Sequence, residues 1–341
     1  MSDSEPSASR SLGLRAGDWV EVRGENEILA TLDHEGRLDA LPFMPEMLQY
    51  CGRRFRVFKA AHKTCDTIEH YKGRRMTSAV HLEGLRCDGA AHGGCQAGCL
   101  LFWKEAWLMR VHDTRPKEKG AATPSPKTVA PASATGSATR CTVETLHRAA
   151  RIPPGGGEAI ADVYSCQATE LVRATAPLRW WEAGQYLKDL TSRNVRLDVF
   201  IRYVMIAAFN SVMRLHWRGR PYPYIRGLAG ERTPTEVLNL QPGEMVQVRS
   251  KDEIMGTLNA KQRNRGLWFD VEMVPYCGKT FRVVTRVERI LDEKTGRMIT
   301  IPNACIILDG ATCSGCLSKD RLFCPRSLYP YWREIWLKRV Q

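Results

Sequence analysis

The sequence predicts an α+β chain built from two repeated small β modules with cysteine-rich metal knuckles, joined by a disordered linker and a helical bridge. Three observations carry that expectation. The last third of the chain restates the first third at a constant offset of 226 residues. Both copies open with alternating apolar and polar residues, the period of a half-buried strand. Four cysteines near the end are spaced C-x7-C-x2-C-x7-C, a spacing that lets thiolates converge on one ion without long loops.

The repeat holds over most of each copy. Gly17, Val20, Val22, Arg23, Glu27, Ile28, Thr31 and Leu32 recur as Gly243, Val246, Val248, Arg249, Glu253, Ile254, Thr257 and Leu258. Phe43, Glu46, Met47, Tyr50, Cys51 and Gly52 recur in the same register as Phe269, Glu272, Met273, Tyr276, Cys277 and Gly278. After a variable loop the copies rejoin at Asp88-Gly89 and Asp309-Gly310, then at FWKEAWLMRV (102 to 111) and YWREIWLKRV (331 to 340). Self-similarity at a fixed spacing is the signature of a duplicated unit. The expected division is therefore a disordered terminus at 1–11, a first module at 12–112, a linker at 113–140, a helical bridge at 141–238 and a second module at 239–341.

Each module begins with a glycine turn and a strand, GDWVEVR or GEMVQVR, and continues with a second alternating run, CGRRFRVFKA or CGKTFRVVTR. Short strands between turn residues suggest a small β-barrel. The GD-x-V-x-V opener resembles the start of SH3-like and KOW-type small barrels, a likeness of about ten residues per module that implies a fold and carries no functional residue. Trp103, Glu105, Trp107 and Arg110, matched by Trp332, Glu334, Trp336 and Arg339, read as a closing element that buries its indoles and pairs Glu with Arg.

Between the modules, residues 113–140 are rich in Ala, Pro, Ser and Thr without an aromatic residue, the composition of a flexible linker. Helices are expected at Val143 to Ala150, Glu158 to Thr175 and Asn194 to His216. The last is apolar on most faces, which fits the core of a bridge docked on both modules or a helix lying in a membrane interface. The following strap interleaves Arg214, Arg218, Arg220 and Arg226 with Trp217, Tyr222 and Tyr224. Such residues can hold phosphates while stacking bases, or form a rigid strap through Pro221 and Pro223 that covers the helix end.

Twelve cysteines and an N-terminus without an apolar signal region point to a reducing cytoplasm and to metal ligation rather than disulfides. Cys305, Cys313, Cys316 and Cys324 form the C-terminal candidate set. The N-terminal set is Cys87, Cys95 and Cys99, with Cys65, Cys51, His92 or His81 as fourth ligand. Alignment places Cys95 opposite Cys324, and Cys313 opposite His92. Cys51 and Cys277, at strand starts, read as core. Cys141 and Cys166 have no evident partner. Soft ligands favour zinc, one ion per module, or an iron–sulfur cluster, over magnesium or calcium.

Walker A, dinucleotide-binding, H-E-x-x-H and nucleophile-elbow patterns are all missing. With 50 Lys and Arg against 37 Asp and Glu, the chain is basic and suits an anionic partner, nucleic acid or an acidic protein. The leading expectation is a non-enzymatic, zinc-stabilised adaptor for such a partner. An iron–sulfur redox or tailoring enzyme, or its accessory subunit, is the alternative, and a membrane-surface scaffold is the third reading. No stretch suits a spanning helix.

Overall fold

The computed structural model describes residues 11–68, 72–111, 141–152, 162–216 and 219–340. The predicted linker lies outside them. The chain mixes helix with several small antiparallel sheets, of which two have five strands.

The N-terminal sheet is built from Trp19–Val22, Arg54–Ala60, Ala79–Leu82, Trp103–Lys104 and Leu108–Arg110. The first strand lies between the second and the last, and the third and fourth extend the other side. Met245–Val248, Thr280–Leu291, Met298–Leu308, Trp332–Arg333 and Leu337–Arg339 form a C-terminal sheet with the same order. Registers correspond as well: Trp19 faces Arg56 in one sheet and Met245 faces Arg282 in the other. Alternation explains the packing, since Val20 and Val22, like Val246 and Val248, are fully buried while their neighbours reach solvent.

Neither sheet closes into a barrel among the described residues. The two edge strands follow one another in the chain through a single 3-10 turn, Glu105–Trp107 or Glu334–Trp336, and are two and three residues long. Segments of two and three residues offer little length over which to pair.

Aromatic residues fill both cores in the same way. Phe43 meets Trp107 edge-on at 5.1 Å, and Phe269 meets Trp336 at 5.2 Å. The Trp107 indole N–H donates to Thr31 Oγ1 at 3.1 Å, and Trp336 donates to Thr257 Oγ1 at 2.9 Å. The expected Glu–Arg pair is replaced by another arrangement. Glu105 accepts the main-chain N–H groups of Leu12, Gly13 and Leu14, while Arg110 turns to Asp18 at 3.4 Å. Glu334 likewise accepts from Leu238 and Leu240 and takes Arg286 at 2.9 Å as its arginine, while Arg339 pairs with Glu244 at 2.7 Å. Buried carboxylates that cap orphan backbone donors satisfy groups an arginine would leave unpaired.

Two expectations about the middle segment change. The Val143–Ala150 helix forms, capped by Thr142, whose hydroxyl accepts the Thr145 N–H. The described part of the expected 158–175 helix is instead the strand Val163–Tyr164, paired with Arg151–Ile152, followed by turns. Gln167 explains the difference. Its amide bonds to Pro42 O, Phe102 O and the Phe102 N–H, tying this segment to the N-terminal core through a run of turns.

The Leu197–Leu215 helix forms, but it is not the core of a bridge: only Asn210 on it is buried, and Phe209 is 48% exposed. It touches the C-terminal cysteine-bearing loop through Phe200, stacked on Phe323 at 5.2 Å. The two sheet units meet directly, so no helix is needed between them. Arg86 lies 3.9 Å over the Tyr329 ring, and Gln96 Oε1 accepts the N–H groups of Glu288 and Arg289. No described helix is long and apolar enough to cross a membrane.

Candidate metal centre

Cys87, Cys95, Cys99 and Cys166 line one cavity of about 40 Å³, together with His92. The first three come from the loop after Ala79–Leu82, folded back on itself by the bond from the Cys87 N–H to Cys99 O at 2.8 Å. Gly89, at φ +75°, makes the tight return possible. A Cβ on it would stand 2.2 Å from Cys95 O and 2.5 Å from Cys95 N, closer than any side chain tolerates. Cys166 arrives from the middle segment, held by the neighbouring Gln167.

Glu46 sits beside this loop. Its carboxylate, the Cys87 sulfur and the His92 ring offer ligand atoms within 4.8 Å of one another, a group that could hold a metal ion. Cys87 Sγ is 3.3 Å from Glu46 Oε1 and 3.4 Å from His92 Nε2, and His92 Nδ1 is 3.8 Å from Glu46 Oε1. Glu46 Oε2 and His92 Nδ1 are buried without a hydrogen-bond partner.

Burial governs the electrostatics here. It pushes the Cys99 and Cys166 thiols up to about 12 and raises Cys87 further, with the Glu46 charge adding to the effect. The Glu46 carboxyl is itself raised by burial, and the His92 imidazole is lowered by it. Each of these thiols is therefore held as the neutral acid by its surroundings, and a cation among them would reverse the balance.

The C-terminal set is divided between a strand, which carries Cys305, and the loop that carries the other three. Among the described residues, no three of Cys305, Cys313, Cys316 and Cys324 bring their sulfurs within 4.8 Å of one another. Cys305 lies in a strand among Val287 and Ile307, and its sulfur accepts from Arg333 Nη1 at 3.3 Å. Cys313, Cys316 and Cys324 stay together on the loop, where Gly315 at φ +69° would place a Cβ 2.6 Å from Cys324 N. The Cys316 sulfur rests on Ser314 O at 3.7 Å.

Cys65 is not in the N-terminal cavity. Its strand is tied to the other unit, where the Cys65 carbonyl accepts Arg326 Nη1 at 3.1 Å, and its thiol lies on the Cys324 side. The neighbouring Cys324 thiol, with Arg326 and Arg321, favours the Cys65 thiolate against burial and lowers its pKa, while Cys324 is raised. His81 turns its Nδ1 to Leu101 O at 2.9 Å and packs on Phe102, outside the ligand group. Cys51 and Cys277 are half-buried against the two cores.

Of the strap, Trp217 and Arg218 lie outside the described residues. Arg214, Arg220 and Arg226 are exposed. Arg220 lies 5.2 Å over the Tyr224 ring, and the Tyr222 main chain is pinned by both ends of the Asn210 amide at 2.6 Å. Arg214 and Tyr224 border a cavity of about 420 Å³ that also takes in Asp270 and Asp320.

No protein-family model matches this chain, and neither does any curated protein or solved structure compared with it. Sequence reasoning missed Cys166, Glu46 and Gln167. Glu46 was visible only as a repeated residue, shared with Glu272.

Proposed function

We propose that this is an iron–sulfur protein, a redox component or its accessory subunit, made of two duplicated SH3-like modules. Cys87, Cys95, Cys99 and Cys166 are its N-terminal ligands. One observation carries the reading: four cysteines from two chain segments line one cavity, yet no three of their sulfurs fall within 4.8 Å of one another. Zinc at ~2.3 Å from each thiolate would draw all four to about 3.8 Å apart. A cubane or rhombic cluster holds its cysteines further apart and needs more room, and a cavity of about 40 Å³ exceeds the ~10–15 Å³ that admits one water.

Matching strand order, register and aromatic contacts support the duplication. A 3-10 turn before the last strand, with that strand beside the first, supports the SH3-like reading even without closure. Protein purified without oxygen should be brown, with broad visible absorption and iron and acid-labile sulfide in equal amounts. A colourless preparation loaded with zinc overturns the cluster.

A zinc-stabilised adaptor is the second reading. The 3.3 to 3.8 Å spacings among Glu46, Cys87 and His92 favour it, since they suit a single ion. Exposed Arg214, Arg220 and Arg226 would then face an anionic partner. Stoichiometric zinc with salt-dependent retention on nucleic acid would support it, and retention unchanged across a salt gradient would remove the partner.

A further inference from the structure

We propose that a second thiolate metal centre joins the two units, with Cys65 from the N-terminal unit completing the Cys313, Cys316 and Cys324 knuckle of the C-terminal one. The inference rests on the thiolate-centre reading for the identity of the metal alone.

The two cysteine loops are built alike. Cys87-Asp88-Gly89 folds under Cys95, and Cys313-Ser314-Gly315 folds under Cys324. In each, a left-handed glycine is pressed against the main chain of the later cysteine, with Cβ positions 2.5 Å and 2.6 Å from its nitrogen. In each, the same repeated glutamate serves the loop. Glu46 lies 3.3 Å from the Cys87 sulfur. Glu272 accepts from Ser314 Oγ at 2.6 Å, Leu317 N at 2.7 Å and Ser318 Oγ at 2.9 Å. Cys313 is therefore the counterpart of Cys87, a better match than His92.

Each loop also receives a cysteine from a distant part of the chain. Cys166 comes to the N-terminal loop, and Cys65 comes to the C-terminal one, on a strand bound to the residues on either side of Cys324. Cys65 ends the buried strand Lys63–Cys65, and its carbonyl accepts Arg326 Nη1 at 3.1 Å. Lys63, on the same strand, donates to Leu322 O at 2.7 Å and to Asp189 at 2.6 Å. The strand is thus fastened to the knuckle by main-chain and side-chain contacts on either side of the thiol.

Charge fits an anionic thiolate centre. Four thiolates around a zinc ion or an oxidised four-iron cluster leave a net charge of about −2. Arg326 and Lys63 are both buried beside the cysteines, and Arg321 lies on the loop itself. Buried cations next to a centre of that sign offset the desolvation of both.

Metal content of the whole chain, purified without oxygen, tests this by emission spectrometry. Wild type should carry two centres. Cys65→Ser and Cys316→Ser should each lose half of the metal, Cys166→Ser should lose the other half, and Cys305→Ala should lose none. Wild-type metal content in Cys65→Ser with an unchanged near-ultraviolet circular dichroism spectrum overturns the proposal. If Cys65→Ser does not fold, wild-type metal content in Cys316→Ser, altered at a half-buried site, overturns it equally. A mass lower by two hydrogens, locating a Cys65–Cys324 disulfide in the freshly purified chain, also overturns it. Full metal in Cys166→Ser with none in Cys65→Ser would remove the N-terminal centre and leave this one standing.

Discussion

The main-chain N–H of Leu291 donates to the sulfur of Cys95 at 3.3 Å, so a strand of the C-terminal sheet ends on a thiol of the N-terminal cavity. That contact exists because the C-terminal hairpin is longer than its counterpart. Thr280–Leu291 has 12 residues where Arg54–Ala60 has 7, and the surplus reaches across to the other unit. An N–H donated to a ligand sulfur stabilises the thiolate and raises the reduction potential of a cluster it holds.

Gln96 holds this hairpin tip in place by accepting the N–H groups of Glu288 at 2.7 Å and Arg289 at 3.0 Å. Gln96→Ala removes the single oxygen that accepts both N–H groups at a partly wet site, which should cost about 1–2 kcal/mol. Urea denaturation checks the magnitude. Unchanged stability would mean that the hairpin is held by Leu291 and the Arg86–Tyr329 contact without it.

Gly89→Ala and Gly315→Ala should be far more damaging than substitutions at other left-handed glycines. Gly52 and Gly278 also have positive φ, but a Cβ on either meets nothing within 4 Å. Alanine there should cost only the backbone term of about 1–2 kcal/mol. At Gly89 and Gly315 the methyl would collide with the main chain of Cys95 or Cys324, so the loop must open and the cysteines part. Those two variants should lose metal as well as stability. Equal effects at all four positions would show that the cysteine loops are looser than their geometry implies.

Much of the fold was legible because period-two alternation and the shared aromatic residues act locally. Val20, Phe43 and Trp107 announce their burial in the pattern around them, and their counterparts repeat it. The site was legible only where its cysteines are neighbours in sequence. Cys166 reaches the cavity because Gln167 bonds to Pro42 and Phe102, contacts between segments more than 60 residues apart that no periodicity records. Cys65 was assigned to the nearer loop for the same reason, although its strand is bound to the residues on either side of Cys324. Cys305 misled through spacing alone, since a strand turns its sulfur toward Arg333.

The Leu197–Leu215 helix shows where apolarity and burial part. Met205→Ser and Phe209→Ser should change stability by no more than about 0.5 kcal/mol, as exposed positions do. Asn210→Ala should cost about 1–3 kcal/mol, because it strips the Tyr222 N–H and carbonyl of a buried partner. Thermal melts of the three variants decide it. A large loss at Phe209 would mean that the helix is covered in the folded protein.

His81 should make the protein sensitive to acid. Its ring is fully buried, with Nδ1 donating to Leu101 O and Nε2 without a partner. Burial lowers its pKa from 6.5 to about 3, and Lys59, Arg326 and Arg86 push the same way against the pull of the Leu101 carbonyl. The sign follows from proton counting. Between about pH 3 and 6.5 the unfolded chain binds a proton that the folded chain refuses, so stability rises with pH in that window. The contribution is complete above 6.5 and is lost as pH falls, at up to about 1.4 kcal/mol per unit. His81→Asn keeps a donor for Leu101 O and removes the titration. Its unfolding free energy should therefore depend less steeply on pH between 4 and 6 than that of the parent, even if its absolute stability is lower. Glu46 and His92 titrate in both proteins and cancel in the comparison. Parallel pH profiles would mean that His81 takes up its proton in the folded chain without opening the core around Phe102.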